Sequence, residues 1–186
     1  KIASRILVVR CDQQHFCAVW IGQCDLQISN MGMFDVNYDV HICNVNFLRD
    51  AQHRSQAFRS CVRNGPLDQQ VTLEHLVANG KSKQVVHNIV ADGGKCTFNG
   101  RIHIHEDANG TDATLANKNL GLGKNATINT KPELEIYTDD VTCAHGATIG
   151  QLSDQELFYL TSRGISPESA QALLSEGFLR QCTQGP

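Results

Sequence analysis

The chain has 186 residues, enough for one domain with a hydrophobic core. Lysine and arginine number 16 against 19 aspartates and glutamates, which gives a net charge of −3. This near-balance argues against a nucleic-acid groove and against a polybasic membrane surface, and the longest apolar runs are far too short to cross a bilayer.

The chain is rich in cysteine, with eight residues. None forms a CxxC pair, so zinc-ribbon and thioredoxin-like sites are excluded on spacing. The N-terminus shows no signal peptide, and it lacks an initiator methionine, so we expect a fragment or a processed product. We expect reduced thiols in a cytosol-like compartment, most of them buried as small hydrophobic side chains. A disulfide scaffold is the alternative.

Most of the chain predicts β-structure. Residues 1–65 are harder to interpret, although KIASRILVVR, Phe16 to Ser29 and Phe34 to Leu48 have strand-like patterns. From Val71 to Gly150, short β-prone segments alternate with turns rich in Asn and Gly, and no helical period appears. The segments are four to seven residues long, with TKP before Glu133 taken as a turn. A β-solenoid is favoured, with a sandwich or a barrel as alternatives.

The last part of the chain predicts a helical hairpin. SDQE is a capping box at Ser153, and we expect the helix that it opens to run over about 154–163 and to stop at Gly164. Ser166 and Pro167 are typical of the start of a second helix. Its apolar stripe consists of Ala170, Leu173, Leu174, Gly177 and Phe178. Such a hairpin either packs on the β body or docks a partner.

The stretch DDVTCAHGATIG carries the strongest candidate site. In a strand, Cys143 and His145 share one face, and a thiolate with an imidazole suits iron, zinc or an iron–sulfur cluster. A Cys–His nucleophile pair is the enzymatic alternative. The other alternative is that neither residue has a chemical role, and the stretch is a buried cysteine beside a surface histidine.

Three weaker candidates each have a structural alternative. His103 and His105 lie on one strand face and can chelate a metal, or they form a solvent-facing strand edge. The sequence from Gly121 to Lys124 is similar to part of a phosphate-binding loop. It lacks the first glycine at the required spacing and the following Ser or Thr, so a turn is favoured. Asp139 and Asp140 could act as acid and base, although a solvated turn is favoured.

The run from Phe98 to Gly164 resembles the C-terminal half of SufD, within the SufB/SufD family of the SUF iron–sulfur cluster assembly system. The motifs FNGRI, TDA followed by NKNL, NTKPELEIYTDDVTCAHGATIG and LFYLTSRGI carry the resemblance, in the family's order and spacing. SufB-type members carry different stretches where this chain has NTKPELEIY and CAHGAT. A SufB-like or undifferentiated homologue is therefore the second choice.

The resemblance implies a right-handed parallel β-helix followed by a short helical domain. Residues 1–152 would form the β-helix, with 1–65 poorly matched, and 153–186 the helical segment that docks SufC. It also implies a scaffold and not an enzyme, which pairs with SufB and binds the SufC ATPase. SufC is thought to open the SufB–SufD interface when it dimerises on ATP. A homodimer is the alternative assembly, and neither nucleic acid nor membrane is an expected partner.

The family's functional residues carry over one by one. His145 matches a histidine that lies at the SufB–SufD interface and is implicated in holding the nascent cluster, and Cys143 is its neighbour in the motif. No stable cofactor is implied, only a transient iron–sulfur cluster. The SufC-docking segment matches Gln155, Leu157, Phe158, Tyr159, Arg163 and Gly164.

Compared with the family, we expect three departures: no N-terminal helical domain, residues 1–65 that match only as generic β-helix and carry unusually many cysteines, and a short tail after Phe178. A β-helix carbohydrate-active enzyme using Asp139, Asp140 or His105 is the rival from another class, and a truncated fragment is a third reading. The resemblance implies a cytoplasmic location, or the plastid stroma in a photosynthetic eukaryote.

Overall fold

The computed structural model describes residues 65–182 and, before them, the strands 5–10, 16–21, 27–28, 33–36, 40–48 and 53–62. Within those earlier strands, side chains are described at Phe58, Ser60 and Val62. The elements, in chain order, are β1 (Arg5–Arg10), β2 (Phe16–Ile21), β3 (Gln27–Ile28), β4 (Met33–Val36), β5 (Val40–Leu48), β6 (His53–Val62), β7 (Pro66–His75), β8 (Lys81–Val90), β9 (Lys95–Ile104), β10 (Thr111–Gly121), β11 (Thr127–Ile136), β12 (Val141–Gln151), α1 (Asp154–Thr161) and α2 (Pro167–Arg180).

The strands form two six-stranded sheets, which the chain visits alternately from β4 onward. The first sheet has the order β1-β2-β5-β7-β9-β11, and the second has the order β12-β10-β8-β6-β4-β3. From β4 onward each strand pairs in parallel with the strand two places later, whereas β1, β2 and β3 make antiparallel pairs. The predicted all-β core with a helical end is confirmed.

The strands are longer than the sequence predicts. Strands β7 to β12 have 10 or 11 residues, not four to seven. The segments ATINTK and ELEIYTD join into β11, so the predicted turn at TKP is wrong. Pro132 is tolerated there because β11 is the last strand of its sheet, where a missing N–H can face away from the ladder.

Alternate side chains of strands β7 to β10 fill the space between the sheets. In β9, Phe98, Ile102 and Ile104 are fully buried, and they pack with Leu115 of β10. Gly100 completes this layer, because a Cβ there would lie 2.7 Å from the Leu115 side chain. Burying large aliphatic and aromatic side chains is the main stabilising term for such a core, at about 1.5–3 kcal/mol for each.

A ladder of polar side chains also runs through the interior. The Ser60 hydroxyl donates to Asn88 Oδ1 over 2.6 Å, and Asn88 Nδ2 donates to Asn119 Oδ1 over 2.9 Å. Asn119 Nδ2 in turn donates to the carbonyl of Thr148 over 3.1 Å. Ser60, Asn88 and Asn119 occupy matching positions on β6, β8 and β10, and Thr148 lies on β12, so each side chain bonds the strand beside it. Buried amides must be paired in this way to avoid a large desolvation cost.

Helix α2 packs on the outer face of the second sheet. Leu179 is buried in a cluster with Ile89 and Leu120. The His87 ring stacks on Phe178 with centroids 4.8 Å apart, and His87 Nδ1 lies 2.9 Å from the Phe178 carbonyl oxygen. Packing on the β body is therefore observed for α2.

The local signals of the helical hairpin are confirmed, but the buried face of α2 differs from the predicted stripe. Ser153 Oγ accepts from the Glu156 amide, and Ser166 Oγ accepts from the Ser169 amide, with Pro167 as the first residue of α2. Gly164 has a φ of +85°, the left-handed conformation expected after a helix. Of the predicted stripe, Ala170 is buried and Phe178 packs on the sheet, but Leu173 is 51% exposed, and Leu179, outside the stripe, is buried instead.

The described cysteines behave as small hydrophobic side chains. Cys96 and Cys143 are free thiols, and Cys96 and Cys182 are buried. Burial, with a smaller contribution from the charge of Asp68, raises the pKa of the Cys96 thiol to about 12. The other cysteine side chains lie outside the described residues, so the prediction for them stays open.

Candidate functional site

The two sheets end at an edge that no described strand covers. β11 is the last strand of the first sheet and β12 the last of the second. The stretch with Cys143 and His145 forms the middle of β12. We call this end of the sheets, formed by β11 and β12, the open end.

Register fixes the direction of the Cys143 and His145 side chains. Cys143 pairs with Ala113 and His145 with Leu115, and both partners are buried core residues. Residues in register on parallel strands share a face, so Cys143 and His145 both face the space between the sheets. Cys143 is half-buried against the core, whereas His145 is exposed because no further described strand covers it.

The electrostatic environment of Cys143 favours the neutral thiol. Burial raises its pKa, and the charge of Asp112 adds to this shift, while a hydrogen bond with the Ala113 backbone opposes it. A nucleophilic cysteine needs a lowered thiol pKa. The shift therefore argues against the Cys–His nucleophile pair.

The open end supplies too few ligands to enclose a metal ion. Within residues 65–182 and the other described side chains, no group of three or more His, Cys, Asp or Glu side chains is placed to hold one. Cys143 and His145 could contribute two donors, and a cluster bound there would need further ligands from another molecule.

The rim of the open end is apolar. Ile136 on β11 is 40% exposed and Ile149 on β12 is 56% exposed. Ile149 pairs in register with the buried Asn119, and Ile136 pairs with the buried Ile104, so both face the interior side. Large side chains with this orientation would be core residues if another coil followed.

Helix α1 presents a second exposed surface. It has no buried residue; Phe158 is 73% exposed and Tyr159 is 55% exposed. The Arg163 guanidinium lies 3.6 Å from the centroid of the Tyr159 ring, a cation–π contact. Of the other predicted docking residues, Leu157 is half-buried, and Gln155 and Gly164 are exposed. Aromatic side chains beside an arginine are typical of interface hot spots.

The three weaker candidate sites lie at three different places in the structure. Gly121 is the last residue of β10, and the segment after it is a turn. The Asn125 amide of this turn donates to Asp92 Oδ1 over 2.8 Å. Asp139 and Asp140 form an exposed bend whose Asp140 carbonyl accepts from the Gly110 amide over 2.7 Å. His103 lies on β9 and His105 follows its last residue, on the first sheet.

The comparisons with known proteins point to the same end of the chain. The family model described as "SUF system FeS cluster assembly, SufBD core domain" matches residues 46–178. The chain belongs to the SufBD core family. The match covers β12 and most of both helices, so the resemblance seen in the motifs is confirmed.

Relatives of both SufBD types are similar to the chain. It is 43% identical over 123 residues to iron-sulfur cluster assembly protein SufD of Escherichia coli strain K12, which covers 66% of this chain and 29% of the relative. It is 38% identical over 124 residues to chloroplastic protein ABCI7 of Arabidopsis thaliana, covering 65% of this chain and 26% of the relative. It is 34% identical over 110 residues to iron-sulfur cluster assembly protein SufB of Bacillus subtilis strain 168, which covers 59% of this chain and 24% of the relative. The chain thus spans less than a third of the length of these relatives.

The helices carry no membrane-spanning segment. In the described part of this SufBD chain, neither helix is long and apolar enough to cross a bilayer.

Two features of the SufBD core were missed by sequence reasoning. The asparagine ladder joins residues 28 and 31 positions apart, on neighbouring strands of one sheet. The glutamates that contact His103 and His105 lie 32 and 31 positions away, also on neighbouring strands. The spacing of the β segments contains this period, but the register that aligns particular residues does not follow from it.

Proposed function

We propose that this chain is a SufD-like scaffold subunit for iron–sulfur cluster assembly, without catalytic turnover of its own. The observation that carries the proposal is the open end, where Cys143 and His145 face the interior side of an uncovered strand in a SufBD core. Two donors on an uncovered edge suit a cluster that is shared with a partner and then released.

The architecture that we propose is a right-handed parallel β-helix. Consecutive strands alternate between two sheets, and each pairs in parallel with the strand two places later, as coils of one helix would. Crossovers between parallel strands of one sheet are almost always right-handed. In this architecture β11 and β12 form an open end of the coil.

The partner at the open end is proposed to be a SufB-type subunit. An edge strand offers unpaired backbone groups to another strand. The exposed Ile136 and Ile149 would add an apolar core to such an interface. The similarity to both SufD and SufB relatives supports a partner with matching coils. A second copy of this chain is the alternative partner.

The transient cluster is proposed to form between the two subunits. His145 would supply an imidazole from its exposed position, and Cys143 would supply a thiolate only after losing the proton that its environment favours. Ligands from the SufB-type partner would complete the coordination, because the open end provides two donors. Burial of the interface would keep iron and sulfide from solvent.

The SufC ATPase is proposed to bind helix α1. Phe158 and Tyr159 are exposed aromatic side chains on a helix with no buried residue, so their solvent-facing positions have no packing role. Relatives include a bacterial SufD and a chloroplastic protein. On the basis of these two relatives, and independently of SufC binding, we propose that the chain works in the cytoplasm or the plastid stroma.

Pairing at the open end is tested by an Ile149→Asp variant. We expect it to weaken binding to the SufB-type partner by about 30-fold or more, because a charge would be buried in the apolar part of the interface. The measurement is the dissociation constant of the purified pair by isothermal titration calorimetry.

The matched control is Thr148→Asp, which adds the same charge one residue away on the opposite face of β12. Thr148 is exposed and pairs in register with Lys118. This variant is expected to bind within about threefold of wild type. Equal binding by wild type and Ile149→Asp would contradict the proposed interface, and self-association lost in Ile149→Asp alone would identify a homodimer instead.

A further inference from the structure

Two histidines lie side by side on the outer face of the first sheet, away from the open end. The rings of His103 and His105 have centroids 4.3 Å apart, at an interplanar angle of 42°. Tyr137 lies beside them, with its ring centroid 5.1 Å from that of His103. Both histidines are partly exposed, with 23% and 39% of the side-chain surface accessible, so solvent ions can reach them.

Each ring is held by a glutamate from a neighbouring strand. His103 Nδ1 lies 2.8 Å from Glu135 Oε2 on β11, and His105 Nε2 lies 3.2 Å from Glu74 Oε2 on β7. Arg101 is also paired with Glu135, over 3.3 Å, which steadies that carboxylate. These contacts leave His103 Nε2 and His105 Nδ1 as the nitrogens that neither glutamate engages.

This arrangement matches the surroundings of metal-binding histidines. In such sites one ring nitrogen binds the ion while the other donates to a carboxylate, which fixes the tautomer and the ring orientation. With ring centroids 4.3 Å apart, both imidazoles are close enough to reach one ion at the usual metal–nitrogen distance of about 2.1 Å. Two such carboxylate–histidine pairs side by side are more than a solvent-facing strand edge requires.

We propose that His103 and His105 bind a divalent transition-metal ion of the zinc, nickel or copper class. Imidazole nitrogen is the ligand that these ions share. The described residues hold no group of three or more His, Cys, Asp or Glu side chains placed around one ion. The described residues therefore supply two ligands, His103 and His105, and water or an added anion fills the remaining positions. The site is separate from the proposed cluster site, because it lies on β9 and not on β12.

The proposal is tested with zinc ions and the purified full chain. Accessible thiols are first alkylated so that cysteines do not compete, and zinc is then titrated against a chromophoric chelator. We expect His103→Ala and His105→Ala each to lower the zinc affinity at least tenfold. Glu135→Gln is expected to lower it about 10- to 100-fold, because it removes the partner that orients His103.

Glu133→Gln is the matched control. Glu133 lies on the same strand and is paired with Lys131 over 2.7 Å, so both glutamine variants remove a carboxylate that is paired with a basic side chain. The control is expected to bind zinc within about twofold of wild type. An equal loss in Glu133→Gln and Glu135→Gln would show general charge attraction and overturn the proposal.

A second measurement does not depend on how well the variants fold. Nitrogen NMR of the imidazole rings in the wild-type chain should show one nitrogen in each of His103 and His105 shifting as zinc is added. Unchanged signals from both rings at zinc saturation, or affinity that is the same in the two alanine variants as in wild type, would overturn the proposal.

Discussion

A Phe158→Asp variant is expected to lose co-purification with the SufC ATPase. Phe158 is 73% exposed on α1, which buries no residue, so the substitution leaves the fold intact. If this ring is an interface anchor, its replacement by a charge should cost at least 2 kcal/mol, or about a 30-fold loss of affinity. The measurement is retention of SufC by the tagged chain, followed by a titration of the purified proteins.

Leu173→Asp is the control for the SufC experiment. Leu173 is also an exposed apolar residue, at 51%, but it lies on α2 and outside the predicted docking segment. We expect this variant to bind SufC as wild type does. Binding that survives in Phe158→Asp would contradict docking at α1, and loss in both variants would place the interface on α2 as well.

Of the variants proposed here, Asn88→Ala is expected to lower the free energy of unfolding most. The Asn88 side chain is fully buried and bonds Ser60 on one side and Asn119 on the other. Its removal leaves the Ser60 hydroxyl and Asn119 Oδ1 without these partners, at about 1–3 kcal/mol for each group. The expected loss is about 3–5 kcal/mol, measured as the free energy of unfolding in urea by circular dichroism.

Asn99→Ala provides the comparison for the ladder. Asn99 lies on the exposed face of β9, so its loss is expected to change the unfolding free energy by about 0.5 kcal/mol or less. Equal stabilities for the two variants would contradict the role of the buried ladder.

The helical hairpin could be predicted from the sequence because its signals are local. Ser153, Ser166, Pro167 and Gly164 each act on backbone groups within one turn, and each lies where the sequence predicts. The buried face of α2 could not be predicted in the same way. It depends on His87 and other residues of the second sheet, far away in the chain.

The candidate site could be predicted in part for the same physical reason. Alternation along a strand predicts that Cys143 and His145 share a face, and the structure agrees. Sequence alone does not say that β12 ends a sheet, because strand order is set by contacts between coils. The same limit applies to Glu135, which meets His103 only through the register of β9 and β11.

The role of His145 in cluster assembly is tested most directly by an alanine substitution in the assembled complex. This chain would be co-expressed with SufB and SufC, the partners proposed for it, as wild type, as His145→Ala, and as Thr142→Ala on the opposite face of β12. Iron and sulfide per complex would then be measured after anaerobic purification. We predict assembled complexes in all three cases and a strongly reduced cluster content in His145→Ala alone. Full cluster content in that variant would contradict a role for the open end in cluster assembly.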